Sequence, residues 1–337
     1  MKRRVPFGTL ALTGAGLLAA LALYAAVTPS GDFLYLPNKA TPVASHVKVE
    51  GKPEADDRGG IYYVDVTVRD ARWIERLFPF LRPEGATIVA HEAIAPHGES
   101  FEERRAASRD QMARSEEIAA AVALTAAGLD VEIDDRGVLV SQVAIDVPAA
   151  KALHDGDIIL KAGGKTTRTP LELRTIVGAL APGDSVELEL RRGSRTLTET
   201  VKTIRSPSDG RTIIGITVEQ DARITLPLKV DIDLGDVGGP SAGLPFALEV
   251  LQEYGRDVDR GHKIAATGEI LLDGSVGPVG GLKQKTIGVR RSGAEIFLVP
   301  AGENAAEARR YAGSLRIVPV ESFQQALRFL RTLAKKT

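Results

Sequence analysis

The 337-residue sequence contains no cysteine, which excludes thiol nucleophiles, disulfide bridges and thiolate metal sites while leaving the redox compartment open. It lacks a charge bias: 43 Lys and Arg face 44 Asp and Glu, for a formal net charge of -1. Nucleic acid is therefore not an expected partner. A nucleotide loop is missing as well. Gly163-Gly164-Lys165-Thr166 imitates the end of a phosphate-binding loop, but Ile159 stands where the pattern demands its first glycine. There is no His-Glu-x-x-His, so neither a metal nor a cofactor is expected.

Apolar residues make up 44% of the chain and charged residues 26%, the balance of a packed fold, and the length calls for two or three domains. The N-terminus differs. Lys2, Arg3 and Arg4 precede an uncharged apolar run from Pro6 to Val27, and about 20 such residues cross a ~30 Å hydrocarbon core. The reading is a transmembrane signal anchor over residues 1–28, with its N-terminus cytoplasmic and everything after Thr28 extracytoplasmic. A cleaved signal peptide is the alternative, given Ala20, Ala22, Ala25 and Ala26, but the run exceeds the ~7–15 residues of a signal core. Either reading exports the rest of the chain.

Pro29 to Pro42 reads as a linker; Val47–Glu50 and Ile61–Val68 read as strands, and Glu99–Ala127 as helix. Residues 29–128 are thus a linker and an N-terminal α+β region. From Val131 to Ile204 short strands surround one helix, with turns at Gly137, Gly156, Gly163-Gly164 and Pro182-Gly183. The order Gly137-Val138-Leu139-Val140-Ser141-Gln142-Val143, Pro148-Ala149-Ala150, Leu153, Gly156-Asp157-Ile158-Ile159 and a helix from Pro170 to Ala179 resembles a PDZ domain of the bacterial protease type, over residues 129–205. Such domains capture an extended peptide as an added strand, a loop of amides holding its terminal carboxylate. The resemblance places that loop at Arg136–Leu139, with Gly137, Val138, Leu139, Val140 and Ile176 at the groove. Core packing of a small β domain is the plainer role for most of these apolar residues.

Residues 206–337 alternate strand and helix signals, an α/β pattern: strands at Thr225–Leu234, Lys263–Leu272, Glu295–Val299 and Arg316–Val320, and helices between them. Between the first strand and helix lies Gly238-Gly239-Pro240-Ser241-Ala242-Gly243. A serine at a helix start is often a cap, yet the free amides there suit an oxyanion. Thr267-Gly268-Glu269 follows, then Gly280-Gly281-Leu282-Lys283-Gln284-Lys285. Together these resemble the proteolytic domain of Lon. The resemblance implies Ser241 as nucleophile, Lys285 as general base and Thr267 as its support, and leaves Lys283 as a solvated surface charge.

Lysine accepts a proton only when neutral, which burial favours. Among the histidines His46, His91, His97, His154 and His262, none sits in a recognisable motif. His262, in the loop before Thr267, stays open as a competing base. Lon commonly carries an aspartate three residues before the serine; here Gly238 stands there and Asp236 lies further back. Anchor, PDZ segment and Lon-like domain together resemble the membrane-anchored Lon-like proteases of bacteria. The resemblance implies an ATP-independent endopeptidase acting on flexible or unfolded proteins, with C-terminal tails at the PDZ segment and the membrane bound through the N-terminal helix. Lon-like domains often assemble into homo-oligomeric rings. The alternative is a catalytically inactive PDZ scaffold.

Overall fold

A computed structural model describes residues 7–51, 59–91, 101–206, 210–233, 235 and 238–336. Asp236 and His97 lie outside them. In chain order, the helices used below are α1 (Phe7–Val27), α2 (Phe101–Ala127), α3 (Pro170–Gly178), α4 (Gly243–Glu253), α5 (Leu282–Ser292), α6 (Glu303–Tyr311) and α7 (Phe323–Arg331). The strands are β1 (Gly60–Tyr63), β2 (Glu132–Val143), β3 (Ile158–Ala162), β4 (Ser185–Arg192), β5 (Arg195–Lys202), β6 (Ile216–Thr225), β7 (Lys263–Ala266), β8 (Ile296–Pro300) and β9 (Arg316–Val320). They form two compact units, one of residues 1–128 with 228–337, the other of residues 129–227.

The first unit joins the N-terminal region to the C-terminal third. Its central sheet runs Thr41–Pro42, β1, β7, β8, β9, and β1 is a parallel neighbour of β7 with Ile61 opposite Ile264. The sequence reading keeps residues 29–128 apart from 206–337; the fold threads a strand of the former into the sheet of the latter. Every residue of β8 is buried, as a strand covered on both faces requires. Phe297 and Val299 pack with Leu282 and Val289 of α5 and with Ala305 and Ala308 of α6. On α7, Phe323, Ala326, Leu327 and Leu330 recur at helical spacing on the buried face, and the Ser322 hydroxyl caps its start by accepting from the Gln325 amide.

Helix α4 is apolar nearly all round. Leu244, Phe246, Leu248 and Val250 are fully buried, and each contributes roughly 1.5–3 kcal/mol. Its N-terminus is therefore a rigid place to mount a side chain. Two expected strands are interrupted. Ile61–Val68 divides into β1 and a second strand from Val66, and Lys263–Leu272 ends at Ala266, with Glu269–Ile270 turning to pair with Val276–Gly277. Both interruptions fall beside the candidate site.

The second unit is a sheet ordered β5-β4-β3-β2-β6 around a core of Val138, Val140, Ile159, Leu188 and Leu190, closed by Leu173 and Val177 of α3. Thr169 and Glu172 form the capping box of α3, with Pro170 in its first turn. The expected strand over Thr225–Leu234 is split: β6 ends at Thr225 in this sheet, while Val230–Ile232 pairs with Val47–Val49 of the first unit. Pro227 stands between them and cannot donate to a ladder.

Among the described residues no helix is long and apolar enough to cross a membrane. This overturns the expected transmembrane helix and, with it, a single-pass protein whose N-terminus is cytoplasmic and whose catalytic domain is extracytoplasmic.

Candidate active site

Ser241 is the middle residue of a 3-10 turn, Pro240–Ala242, that runs directly into α4. Gly239 enters the turn at φ +87 and ψ 151, a conformation open to glycine and strained for any other residue. Lys285 comes from the first turn of α5, whose N-cap is Gly281 at φ +72. Its Nζ donates to Ser241 Oγ at 2.7 Å and to Thr267 Oγ1 at 3.1 Å.

Thr267 occupies the break after β7, and its hydroxyl donates to the Ser241 carbonyl at 3.1 Å. The same break ties sheet to turn through its backbone: Thr267 N–H donates to Leu298 O, Gly268 N–H to Ser241 O, and Leu244 N–H to Gly268 O. Three residues far apart in sequence thus meet in one hydrogen-bonded group. Lys285 is 4% exposed and Thr267 0%. Burial pushes the Lys285 amine down to about 8, against the opposing pull of the Asp65 carboxylate.

Asp65 is a site residue that sequence reasoning missed. It lies between the two halves of the divided Ile61–Val68 strand, held by the Asn38 amide at 3.0 and 3.2 Å. A carboxylate in an otherwise apolar strand was the available signal. Lys283 is not the solvated charge expected of it: it is half-buried and donates to Thr87 Oγ1 at 3.1 Å. Gln284 beside it bonds Thr87 Oγ1 and Gly85 O, so the segment before α2 braces α5. His262 bonds elsewhere, with Nδ1 3.2 Å from Glu295 Oε2 and Nε2 2.8 Å from Ala334 O. Both its nitrogens are engaged away from Ser241.

Residues 226–333 match the C-terminal proteolytic domain of Lon protease (S16). This segment is a Lon-type serine peptidase domain. Lon protease 1 of Myxococcus xanthus is 38% identical over 101 residues, 29% of this chain and 12% of that protein. Lon protease 2 of Bacillus subtilis is 31% identical over 109 residues, 32% of this chain and 18% of that protein. The chain therefore spans less than a fifth of the length of these relatives. Residues 125–203 match the PDZ domain. The PDZ domain of an SdrC-like protein from Listeria monocytogenes is 32% identical, covering 24% of this chain and 86% of that one at a TM-score of 0.24.

Within the Lon-type domain the glycine at position 238 has a structural cause. A Cβ built there falls 2.6 Å from Ser108 Oγ and 3.1 Å from Ser108 Cβ of α2, so a side chain at 238 requires Ser108 to move. In the PDZ segment, Val138 and Val140 are core residues, and Leu139 and Ile176 are half-buried. A Cβ on Gly137 would meet the Ile159 carbonyl at 2.6 Å. Strand β2, which carries four of these residues, pairs with β3 through 138–139 and with β6 from 132 to 143. β2 is thus an inner strand of the sheet. The sheet ends instead at β6, which packs near α3.

Proposed function

We propose that the chain is an ATP-independent serine endopeptidase acting through a Ser241–Lys285 dyad on flexible or unfolded proteins. The observation that carries this reading is the 2.7 Å contact between Ser241 Oγ and a buried amine held at about 8. A serine hydroxyl attacks a peptide carbonyl only if a base removes its proton. Near neutral pH an amine of that basicity is unprotonated in a substantial minority of molecules. Lys285 takes the proton, Ser241 Oγ forms the acyl-enzyme as the amine product leaves with that proton, and water attacks the ester with Lys285 again as base.

Thr267 orients the amine, and backbone amides of the turn from Ser241 onward hold the oxyanion. Recruitment belongs to the PDZ segment. There we place the peptide at the edge strand β6 and the helix α3, rather than at β2 as the sequence alone suggested.

Digestion of fluorescent casein without ATP tests the dyad. Ser241→Ala and Lys285→Ala should each remove nearly all cleavage, and the double variant should be scarcely slower than either, because the two side chains act as one unit. A folded Lys285→Ala protein cleaving at near wild-type rate sinks the reading.

A further inference from the structure

The turn that carries Ser241 is held from outside the catalytic group by one helix. Residues 108, 112, 115 and 119 of α2 are spaced along one helical face. Met112, Ser115 and Ala119 on that face are 4%, 3% and 0% exposed. Two bonds run from this face to the turn: Gly239 N–H donates to the Ser108 carbonyl at 2.8 Å, and the Ser115 hydroxyl donates to the Pro240 carbonyl at 3.2 Å.

Ser115 is an odd residue in that place. Serine inside a helix ordinarily faces solvent or bonds the carbonyl one turn back, whereas this one is buried and directs its proton at another segment. The fit is close. A Cβ on Gly243 would fall 2.7 Å from Ser115 Oγ, so the glycine that opens α4 leaves the space in which the hydroxyl sits.

The Pro240 carbonyl and the Ser241 N–H belong to one planar trans peptide. A group that fixes the carbonyl therefore fixes the amide, which points the opposite way, and sets the Cα from which the Ser241 hydroxyl projects. The Gly243 amide bonds the same carbonyl from within the turn. Ser115 supplies a second hold on it from a separate element.

We propose that Ser115 is a positioning residue, whose bond to the Pro240 carbonyl sets the Pro240–Ser241 peptide so that Ser241 Oγ meets Lys285 Nζ. The proposal rests on the Ser241–Lys285 reading. Ser115 touches no reacting atom, so its effect passes through the peptide alone.

The test uses the full chain, with casein turnover and the rate at which a fluorophosphonate probe labels Ser241. Ser115→Ala should lower kcat and the labelling rate about tenfold, the weight of one ordinary hydrogen bond, with KM unchanged. The pH at which activity levels should also stay put, because Lys285 itself is untouched. A merely structural serine would lower the melting temperature and leave turnover per folded molecule as it was. Ser115→Cys keeps the shape with a weaker donor and should lose less, which covers the case in which alanine damages the fold. A folded variant within twofold of wild type in both rates, or a loss confined to KM, overturns the proposal. Undiminished labelling of Ser241→Ala would instead overturn the dyad beneath it.

Discussion

A lysine can act as a base near neutral pH only if its surroundings disfavour the charged amine, and here burial does so against the nearby Asp65 carboxylate. The sign of the pH dependence follows. Lys285 is depressed to about 8, so the competent neutral form is scarce below that pH and dominant above it. Peptidase activity should rise about tenfold per pH unit below the midpoint and level off beyond it. Stopped-time digestion across pH 6 to 10 checks this, and a profile flat below pH 8 removes lysine as the base. Lys285→Arg should be inactive at every pH, since a guanidinium does not give up its proton in this range. Histidine 262 should prove dispensable, its two ring nitrogens being bound to Glu295 and Ala334. Ser241, Thr267 and Lys285 were legible because each sits in a short motif of its own. Asp65 was not, because nothing in Val64-Asp65-Val66 announces which side chain it will face.

Helix α4 follows the turn of Ser241 at one end and carries an acidic group at the other. Glu249 is 2% exposed, Glu253 6% and Asp259 3%. Burial, followed by the neighbouring charges of Glu253 and Asp259, pushes the Glu249 carboxyl up to about 8. A carboxyl raised in the folded state and ordinary in the unfolded one favours folding while protonated, below about 4.5. That contribution is lost as pH rises through about 8. Urea unfolding should therefore show the wild type losing stability across this window, and Glu249→Gln should flatten the loss. Equal pH slopes for the two proteins would show that Glu249 is ionised in the fold. The element-level expectation that failed is instructive. Lys263–Leu272 reads as one strand by residue type, but the backbone leaves the sheet after Thr267, whose amide still bonds Leu298 of β8, because the next amide, that of Gly268, bonds the Ser241 carbonyl in the turn. Strand propensity does not register a bond to a distant loop.

The two units differ in how they use the chain. Residues 129–227 are contiguous, whereas the peptidase unit is assembled from both flanks. A fragment of residues 129–227 should fold alone with a cooperative thermal transition. One ending at Arg205 should not, since it lacks β6, which pairs with β2 over its length and packs Ile216 and Val218 on the core. With hydrophobic C-terminal peptides added to the longer fragment, amide resonances should shift along 216–225 and α3. Shifts confined to 139–143 would return the groove to β2. The family match ends at residue 203 and the sequence reading at 205, before the strand that closes the sheet. A 10-residue strand arriving after a gap, at the far side of the sheet, leaves no local mark of the partner it will find.

By itself the sequence singled out a serine, a lysine and a threonine as candidates through the motifs they sit in, because the glycines that permit a tight turn at a helix start must be written locally. It also determined the two kinds of domain, through turn spacing and alternating strand and helix signals. Tertiary structure alone decided that β1 completes the sheet of the first unit, that α2 lies over the turn with Ser108 against position 238, and that β6 rather than β2 ends its sheet. Each of these is a pairing between segments distant in sequence. Which partner a strand or helix face selects depends on the packing of the whole, not on the residues of either segment alone.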